Sequence, residues 1–463
     1  MNAVLTLAPL VLYIVLLMVI GVKSYRRQPD EEEFLLSSRA LTLPAFVATL
    51  VSTWYGGILG VGEFTYSYGI SVWFVFGLPY YFFALLFALL IAPRVRQANN
   101  FSIPDMLYRS YNRPTGLLGS LFLIVMTSPA PYILMLALLI QFFLGISFVW
   151  SVLIGTFFSV FYVYKGGFRS VVQTDKLQFA FMFIGFTVIL IYLTRNSFSV
   201  GRLWQQLDSG HRSLTGGLSW QSLLVWFLIA SWTFIDPGFH QRCAAAKSPA
   251  VARNGILLSL VFWLVFDSLT MLTGLYAYVL LPDIQPMMSY PLLADRVLPP
   301  ILKGVFFTGL LATIMSTIDS YTFLSALTFG RDIWRQLRPQ ASSRRPVQLG
   351  LLLTALIAIA LIYFLPSVIQ LWYHLGSLFI PPLLLPLLAA YFPSLRLSGR
   401  STFMVMLIAF SLSSGAFLWG ELHTVNGQAR YLLGLEPFFP GMAFSLAWYV
   451  LFFLKKQYRK GLS

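Results

Sequence analysis

The stretch that decides the fold is Thr53-Trp54-Tyr55-Gly56-Gly57-Ile58-Leu59-Gly60-Val61-Gly62-Glu63, which lies inside an apolar run at residues 42–66. A helix needs about twenty apolar residues to cross the hydrocarbon core of a bilayer. Four glycines within seven residues weaken such a helix and leave backbone carbonyls free. We therefore expect a membrane-spanning helix that is interrupted near its middle. The ordinary alternative is that small residues let neighbouring membrane helices pack closely.

A second apolar run, at residues 219–238, is interrupted in a similar way. It ends in Ser231-Trp232-Thr233-Phe234-Ile235-Asp236-Pro237-Gly238, where proline lacks a backbone donor and Asp and Gly favour a turn. The two runs are the second and the seventh along the chain, so each opens a group of five. Because five is odd, the two groups enter the membrane from opposite sides. Paired interruptions in inverted halves are typical of transporters whose site lies at the bilayer midplane.

The composition indicates that lipid is the main solvent of this chain. Of 463 residues, 58% are hydrophobic and only 10% are charged, whereas a soluble domain carries roughly 25% charged residues. We expect an all-α integral membrane protein, with residues 1–463 forming a single transmembrane transporter domain. The thirteen predicted spans are 4–23, 42–66, 71–93, 115–141, 147–164, 175–194, 219–238, 254–281, 300–327, 347–365, 367–392, 402–420 and 435–454.

The basic residues predict the orientation of these spans. With the N-terminus outside, 25 of the 31 Lys and Arg residues fall in cytoplasmic loops and the C-terminal tail, as expected where basic residues accumulate on the cytoplasmic side. We therefore expect a multi-pass protein of the plasma membrane with a cytoplasmic C-terminus. The net charge of +15 is explained by these loops, so we expect no nucleic-acid partner. We find no phosphate-binding loop, zinc-ligand cluster or nucleophile elbow, and we expect no enzyme activity.

The ninth span carries a polar face. Thr313, Ser316, Thr317 and Ser320 recur at i, i+3, i+4 and i+7, which places four hydroxyls on one side of a helix. Any one of them could simply bond to its own helix backbone. Asp319 lies beside them, and an ionisable side chain at that depth costs about 3 kcal/mol in hydrocarbon. We therefore expect this face to look into the protein, where hydroxyls and free carbonyls suit a monovalent cation.

Five segments carry a resemblance to a known family. They are Phe34-Leu35-Leu36-Ser37-Ser38-Arg39, the interruption at 54–63, Gly166-Gly167-Phe168-Arg169-Ser170-Val171-Val172-Gln173-Thr174-Asp175, Gln241-Arg242-Cys243-Ala244-Ala245-Ala246-Lys247-Ser248 and Ala312-Thr313-Ile314-Met315-Ser316-Thr317-Ile318-Asp319-Ser320. The chain resembles the sodium:solute symporter family, which includes sugar, proline, pantothenate and sialic acid carriers. The resemblance implies a leucine-transporter-type fold of five plus five inverted helices. The leading helix would be 4–23, the repeats 42–194 and 219–392, and two trailing helices would occupy 402–454.

The resemblance also implies a sodium site between the second and ninth spans. Side-chain oxygens would come from Ser316 and Thr317, and carbonyls from Leu50, Thr53 and Thr313. A second sodium site, or an exit path, would involve three further residues, namely Asp175, Asp319 and Ser320. An alternative for Asp175 is that it caps the start of the sixth span together with Thr174.

The solute is expected between the two interruptions. The candidate binding residues are Trp54, Tyr55, Gly56, Gly57, Trp232 and Thr233, and the candidate gate is Trp372, Tyr373 and His374. The hydrogen-bonding side chains that galactose carriers use are absent from Gly57, Ile229 and Trp232, which argues against a hexose. Asp267 lies midway along the eighth span and should face the interior, although the sequence identifies no partner for it.

These observations predict a sodium-coupled secondary active symporter that imports a small organic solute by alternating access. Sodium is the expected coupling ion, with no organic cofactor. The expected partners are the solute and the lipid bilayer, with no obligatory protein partner. Two alternatives stay open, a proton-coupled transporter of the same fold and a membrane-embedded ligand sensor.

Overall fold

The chain is almost entirely helical in the computed structural model, which describes residues 2–24, 31–163, 167–338, 344–425 and 428–461. Helices dominate because a backbone surrounded by lipid must satisfy its polar groups internally. The exception is a short antiparallel hairpin formed by β1, Thr424–Val425, and β2, Gln428–Ala429.

The α-helices are numbered in chain order. Helices α1 to α6 are Asn2–Ser24, Glu31–Leu36, Leu43–Trp54, Ile58–Tyr68, Leu78–Leu90 and Ala92–Ala98. Helices α7 to α12 are Ile103–Ser110, Arg113–Met126, Ala130–Leu144, Phe148–Val163, Gly167–Asn196 and Val200–Gln206. Helices α13 to α18 are Trp220–Ile229, Pro237–Ala245, Pro249–Leu280, Ser289–Val297, Pro300–Leu327 and Trp334–Leu337. Helices α19 to α22 are Arg344–Phe364, Val368–Tyr391, Gly399–Leu422 and Phe438–Gly461.

Twelve helical segments of the described chain are long and apolar enough to cross a membrane. They coincide with twelve of the predicted spans. At the position of the predicted fifth span lies α10, an apolar helix of 16 residues, which is shorter than the twelve. Each of the thirteen predicted spans therefore corresponds to a helix, although one of these helices is short.

The interruption of the second span is smaller than its glycines suggest. Between α3 and α4 the chain makes one turn of 3-10 helix, Tyr55–Gly57, and then continues as α-helix. Gly60 and Gly62 lie inside α4, where an added Cβ would come within 3.1 Å of the Trp372 ring and 2.8 Å of the Tyr290 ring. Close packing thus explains these two glycines, and the tight turn is confined to the preceding three residues.

The interruption of the seventh span has the predicted position. Helix α13 ends at Ile229, a 3-10 turn follows at Ala230–Phe234, and α14 begins at Pro237. Asp236 caps α14, because its Oδ1 accepts a hydrogen bond of 3.0 Å from the backbone N–H of Phe239. Proline is favoured at this first helical position because its missing N–H would have no helical partner there.

Two irregularities were not predicted. The fourth span divides into α8 and α9 at residues 127–129, and the third span begins with a π-helical turn at Trp73–Gly77. Pro129 and Pro131 stand at the start of α9, where proline is compatible with a helix. The interruption lies three residues or fewer from the start of α9, close to Tyr132, which lines the central cavity described below.

Helix α17 lies at the centre of the bundle and packs against α1, α3 and α11. Its contact with α11 is close because two glycines face each other. A Cβ added to Gly185 would lie 3.1 Å from the Cα of Gly309. Small residues of this kind let the backbones of membrane helices approach. The polar face of α17 is thereby held next to α3 and α11.

Candidate ion and solute sites

A buried polar cluster, which we call the polar junction, lies where α3, α11, α14 and α17 meet. Each of its side chains is at most 5% exposed. Its members are Thr49, Ser52 and Thr53 of α3, Asp175 of α11, Arg242 of α14, and Ser316, Thr317 and Ser320 of α17. The predicted polar face of α17 therefore does look into the protein.

The junction brings together oxygens from spans that are far apart in sequence. The Thr317 hydroxyl donates a 2.6 Å hydrogen bond to the backbone carbonyl of Thr53. The Ser316 hydroxyl donates a 2.6 Å bond to Asp175 and lies 3.0 Å from the hydroxyl of Ser52. The second carboxylate oxygen of Asp175 accepts a hydrogen bond from Thr49. Both predicted hydroxyl ligands thus lie against α3, and Ser316 is also bonded to a carboxylate.

The guanidinium of Arg242 occupies the other side of this cluster. Its Nη2 lies 2.7 Å from the hydroxyl of Thr53, 2.9 Å from that of Ser320 and 3.1 Å from that of Thr49. The same nitrogen lies 3.6 Å from the Asp175 carboxylate, and both side chains are fully buried. The junction therefore already holds one positive charge, supplied by the protein itself.

The sequence does not identify Arg242 as a site residue, because this residue lies between the predicted spans 219–238 and 254–281. A signal was present, since Arg242 follows the helix start at Pro237 by five residues and is followed by the apolar Cys243-Ala244-Ala245-Ala246. All of these residues are buried. An arginine in a buried apolar segment is expected to pair with a carboxylate.

The alternative role of Asp175 as a helix cap is wrong. Helix α11 is already formed at Gly167, so Asp175 lies two turns inside it. The segment between the predicted spans 147–164 and 175–194 is therefore helical from Gly167 onward. Residues 164–166, which include Gly166 of the landmark segment, lie outside the described residues.

The remaining predicted ion-site residues differ in their surroundings. Thr313 directs its hydroxyl to the carbonyl of Gly309 in its own helix, at 2.7 Å. Leu50 is buried in α3 at 3% exposure. Asp319 is fully buried, and within the described chain neither of its carboxylate oxygens has a hydrogen-bond partner. A buried group without partners carries a large desolvation cost.

Beside the junction lies a second feature, the central cavity, with an empty volume of about 720 Å³ that includes its open side. Its wall combines residues from both interrupted spans with residues of the third, fourth, eighth, ninth and eleventh predicted spans. The lining residues are Trp54, Tyr55, Gly57, Val61, Phe76, Tyr80, Tyr132, Ile229, Trp232, Asp267, Tyr321 and Trp372.

Five of the predicted solute and gate residues line the central cavity, namely Trp54, Tyr55, Gly57, Trp232 and Trp372. Four others lie elsewhere. The backbone of Gly56 faces Thr317, and Thr233 bonds to the carbonyl of Ala230 at 2.9 Å. Tyr373 packs against Trp226 with ring centroids 5.3 Å apart, and His374 packs on Phe417 at 4.7 Å. Of the three predicted gate residues, Trp372 alone is among the residues that line the central cavity.

The lining residues that sequence reasoning missed are mostly aromatic. They include Phe76, Tyr80, Tyr132 and Tyr321. Aromatic residues make up 17% of this chain, so no local pattern separates these four from rings that contact lipid. The partners of Asp267 were also missed, because Tyr55 and Tyr81 lie in different spans. Both donate to its carboxylate, Tyr55 at 2.8 Å.

The two glycines of the 3-10 turn separate the junction from the cavity. A Cβ on Gly56 would lie 2.1 Å from the Cβ of Thr317, and a Cβ on Gly57 would lie 1.9 Å from the indole of Trp372. Either contact would force the neighbouring side chain to move, so both positions favour glycine. One turn of backbone is thus in contact with the polar junction on one side and with the wall of the central cavity on the other.

Asp236 lies between the central cavity and a second one. Its Oδ2 accepts hydrogen bonds from Tyr321 at 2.5 Å and from Trp232 at 3.2 Å, two residues that line the central cavity. Pro237, the next residue, lines the second cavity, which has an empty volume of about 410 Å³. The hydrogen bonds of Asp236 hold the start of α14 against α17 between these two spaces.

Comparison with known proteins gives a consistent result. The profile described as the sodium:solute symporter family matches residues 34–392. The chain is 25% identical over 477 residues to the sodium/pantothenate symporter of Escherichia coli (strain K12), covering 95% of this chain and 94% of that protein. It is 26% identical over 361 residues to the sodium/pantothenate symporter of Haemophilus influenzae, covering 72% and 73%.

Among solved structures, the chain is similar to a sodium-coupled sialic acid symporter in a substrate-bound, outward-open state. The TM-score is 0.78, the sequence identity is 16%, and 96% of each chain is covered. At this identity the likeness concerns the fold alone. The fold is the leucine-transporter type, as the resemblance implied.

Proposed function

Because the chain belongs to the sodium:solute symporter family and is therefore a membrane transporter, we propose that it couples the entry of sodium to the import of a small organic solute by alternating access. The proposal includes the orientation expected from the basic residues, with the N-terminus outside and the C-terminus in the cytoplasm. It also includes the division into a leading helix, two five-helix repeats and two trailing helices.

The observation that carries the proposal is the pairing of the Thr317 hydroxyl with the Thr53 carbonyl, 2.6 Å apart in the polar junction. The oxygens of Ser316, Thr317 and Thr53 converge from two helices and suit a hard monovalent cation. Asp175 adds a carboxylate 2.6 Å from Ser316. The backbone carbonyls of Leu50 and Thr313 complete the proposed site.

The contacts of Arg242 support a single sodium ion in this conformation. Its Nη2 lies 2.9 Å from Ser320 and 3.6 Å from Asp175, two residues of the predicted second site. A second cation there would have to displace the guanidinium. The proposed role of Asp175, Ser320 and Asp319 is therefore to form the exit path of the ion, along which sodium replaces Arg242 transiently.

Alternating access is supported by the two cavities on either side of Asp236. The bonds from Tyr321 and Trp232 to this carboxylate tie α14 to α17 beside the central cavity, and their proposed role is that of an inner gate. In the proposed cycle these bonds break after sodium and solute are bound, and the start of α14 separates from α17. Trp372, packed on Gly57, covers the central cavity from the side of α20.

Binding of radiolabelled sodium to the purified full-length protein tests the ion site without knowledge of the solute. We expect saturable binding whose Kd rises roughly tenfold in Thr317→Ala and in Ser316→Ala, since losing one ion–oxygen contact of about 1.4 kcal/mol weakens binding by this factor. The matched control is Thr308→Ala, because Thr308 is equally buried in α17 and bonds only to Gly304 of its own helix. Unchanged sodium affinity in both site variants would remove Ser316 and Thr317 from the ion site.

Coupling is tested by uptake into proteoliposomes. A panel of labelled solutes should accumulate only when sodium is higher on the outside. Accumulation that follows a proton gradient in the absence of sodium would support the proton-coupled alternative instead. Tight solute binding without accumulation under either gradient would support a sensor.

A further inference from the structure

The wall of the central cavity is unusually rich in aromatic rings. Eight of its twelve lining residues are aromatic, and they come from six different segments of the fold. Several rings are in mutual contact. Trp54 meets Tyr80 at a centroid distance of 5.1 Å, Tyr132 meets Tyr321 at 5.3 Å, and Phe76 meets Trp372 at 5.8 Å. A solute in this cavity therefore has ring surfaces on several sides.

The wall contains one acidic side chain and no basic one. Asp267 is the one carboxylate among the lining residues, and the set contains no Lys, Arg or His. The described partners of Asp267 are the hydroxyls of Tyr55 and Tyr81, which are neutral. Asp175, by comparison, faces the Arg242 guanidinium, and Asp332 is paired with Arg331 at 2.9 Å. In the described chain, then, no basic side chain balances the carboxylate of the central cavity.

Three polar groups of the wall are already bonded to carboxylates. The hydroxyl of Tyr321 and the indole N–H of Trp232 are both bonded to Asp236, and the Tyr55 hydroxyl is bonded to Asp267. A carboxylate solute would meet a carboxylate and no positive charge.

We propose that the solute of this transporter is a small organic cation of the substituted-ammonium class, held against the ring faces of Trp54, Tyr80, Trp232 and Trp372 with Asp267 as its counter-charge. This inference rests on the proposed transport function and specifies its substrate class. Aromatic faces attract cations through the ring quadrupole, and alkylated ammonium groups are bound by several rings at once because their charge is weakly hydrated. The apolar remainder of the wall, Val61 and Ile229, suits the alkyl groups.

The test measures equilibrium binding to the purified full-length protein in sodium. The probes are tetramethylammonium, choline and the uncharged choline analogue in which carbon replaces nitrogen. We expect saturable binding of at least one cation, and roughly a hundredfold weaker binding of the uncharged analogue. Glucose and pantothenate serve as neutral and anionic comparison solutes, and saturable binding of either one in place of the cations would overturn the proposal.

Two pairs of variants locate the binding. Trp372→Leu should weaken cation binding roughly tenfold, whereas Trp372→Phe should stay within about threefold because a ring face is retained. Asp267→Asn should weaken it roughly tenfold and Asp267→Glu less, with Asp295→Asn, an exposed residue paired with Lys303, as the unaffected control. Equal affinity in Trp372→Leu and wild type would overturn the assignment to this cavity.

The sodium measurement separates this inference from the proposed function. Saturable binding of radiolabelled sodium together with no binding of either cation would overturn the substrate class and leave sodium-coupled transport standing. Cation binding in the absence of any sodium binding would support the substrate class and contradict sodium coupling. Each variant is assayed only in preparations that retain the monodisperse profile of the wild type.

Discussion

At the scale of single residues, the junction is governed by the pairing of Arg242 with Asp175. Both are fully buried and lie 3.6 Å apart, and three hydroxyls surround the Nη2 of the guanidinium. Removing one partner of a buried ion pair costs about 3–5 kcal/mol because the other charge is left uncompensated. Sodium and the guanidinium use overlapping oxygens, so the occupancy of one should depend on the other.

This dependence leads to a prediction for Arg242→Gln. The variant should melt at a lower temperature than wild type in potassium, because Asp175 loses its counter-charge. Sodium should raise its melting temperature more than that of wild type, since the ion can now use the vacated oxygens and binding to the folded state stabilises it. Melting in matched sodium and potassium buffers measures both effects.

Two controls accompany this measurement. Arg253→Gln removes an exposed arginine whose side chain bonds to the neighbouring Asn254, and it should melt like wild type in both salts. The double variant Asp175→Asn/Arg242→Gln should recover stability in potassium, because no unpaired charge remains. A sodium-induced shift in Arg242→Gln no larger than in wild type would mean that the guanidinium and the ion do not share oxygens.

At the scale of elements, the 3-10 turn Tyr55–Gly57 connects the two sites. Gly56 packs against Thr317 of the polar junction, and Gly57 packs against Trp372 of the central cavity. Two neighbouring residues of one turn therefore contact the proposed ion site and the proposed solute site respectively. This division predicts that methyl groups added one residue apart have different consequences.

Gly56→Ala should weaken sodium binding at least roughly tenfold, because its Cβ would displace Thr317 from the Thr53 carbonyl. Gly57→Ala should leave sodium affinity nearly unchanged and instead abolish solute binding. Adding Trp372→Phe to this variant should partly restore solute binding, because it removes the ring atoms that the new methyl group meets. Gly201→Ala, where no atom lies within 4 Å of the added Cβ, is the neutral control. Identical profiles for Gly56→Ala and Gly57→Ala would contradict this division.

The elements also show what the sequence can and cannot predict. The span positions, the Pro237 interruption and the inward polar face of α17 follow from hydrophobic run length, proline chemistry and helical periodicity. The position of Arg242, the aromatic residues Tyr80 and Tyr132, and the tyrosine partners of Asp267 do not, because each depends on which face of a span meets which distant span. Run length measures the environment of a whole helix, whereas these contacts depend on helix rotation.

At the scale of the whole molecule, the distribution of basic residues predicts the orientation in the membrane. Cys243 is the one cysteine of the chain and is fully buried, so a cysteine added at an exposed position should react alone. Gly201→Cys, between the sixth and seventh predicted spans, should be labelled by an impermeant maleimide added outside intact cells. Ser394→Cys, between the eleventh and twelfth, should react only after the membrane is opened. The reverse pattern would contradict the proposed orientation.

The proposed charges of ion and solute affect the energetics of the whole cycle. Each positive charge that moves inward gains about 2.3 kcal/mol per 100 mV of membrane potential. A cationic solute travelling with one sodium ion would therefore gain about twice the electrical driving force of a neutral solute. Such a transporter can concentrate its solute strongly without a second coupling ion.

The fully buried pair of Arg242 and Asp175 also bears on the part of the cycle in which nothing is carried. After both ligands have left, a carrier of this kind must return to its starting conformation with an empty binding region. An uncompensated aspartate there would make that return depend on voltage, and it would bind protons or other cations during the return. With the guanidinium already in place, the empty junction is electrically neutral. The pair therefore adds no net charge to the empty carrier, and a voltage dependence of the return would have to come from another carboxylate, such as Asp267 of the central cavity.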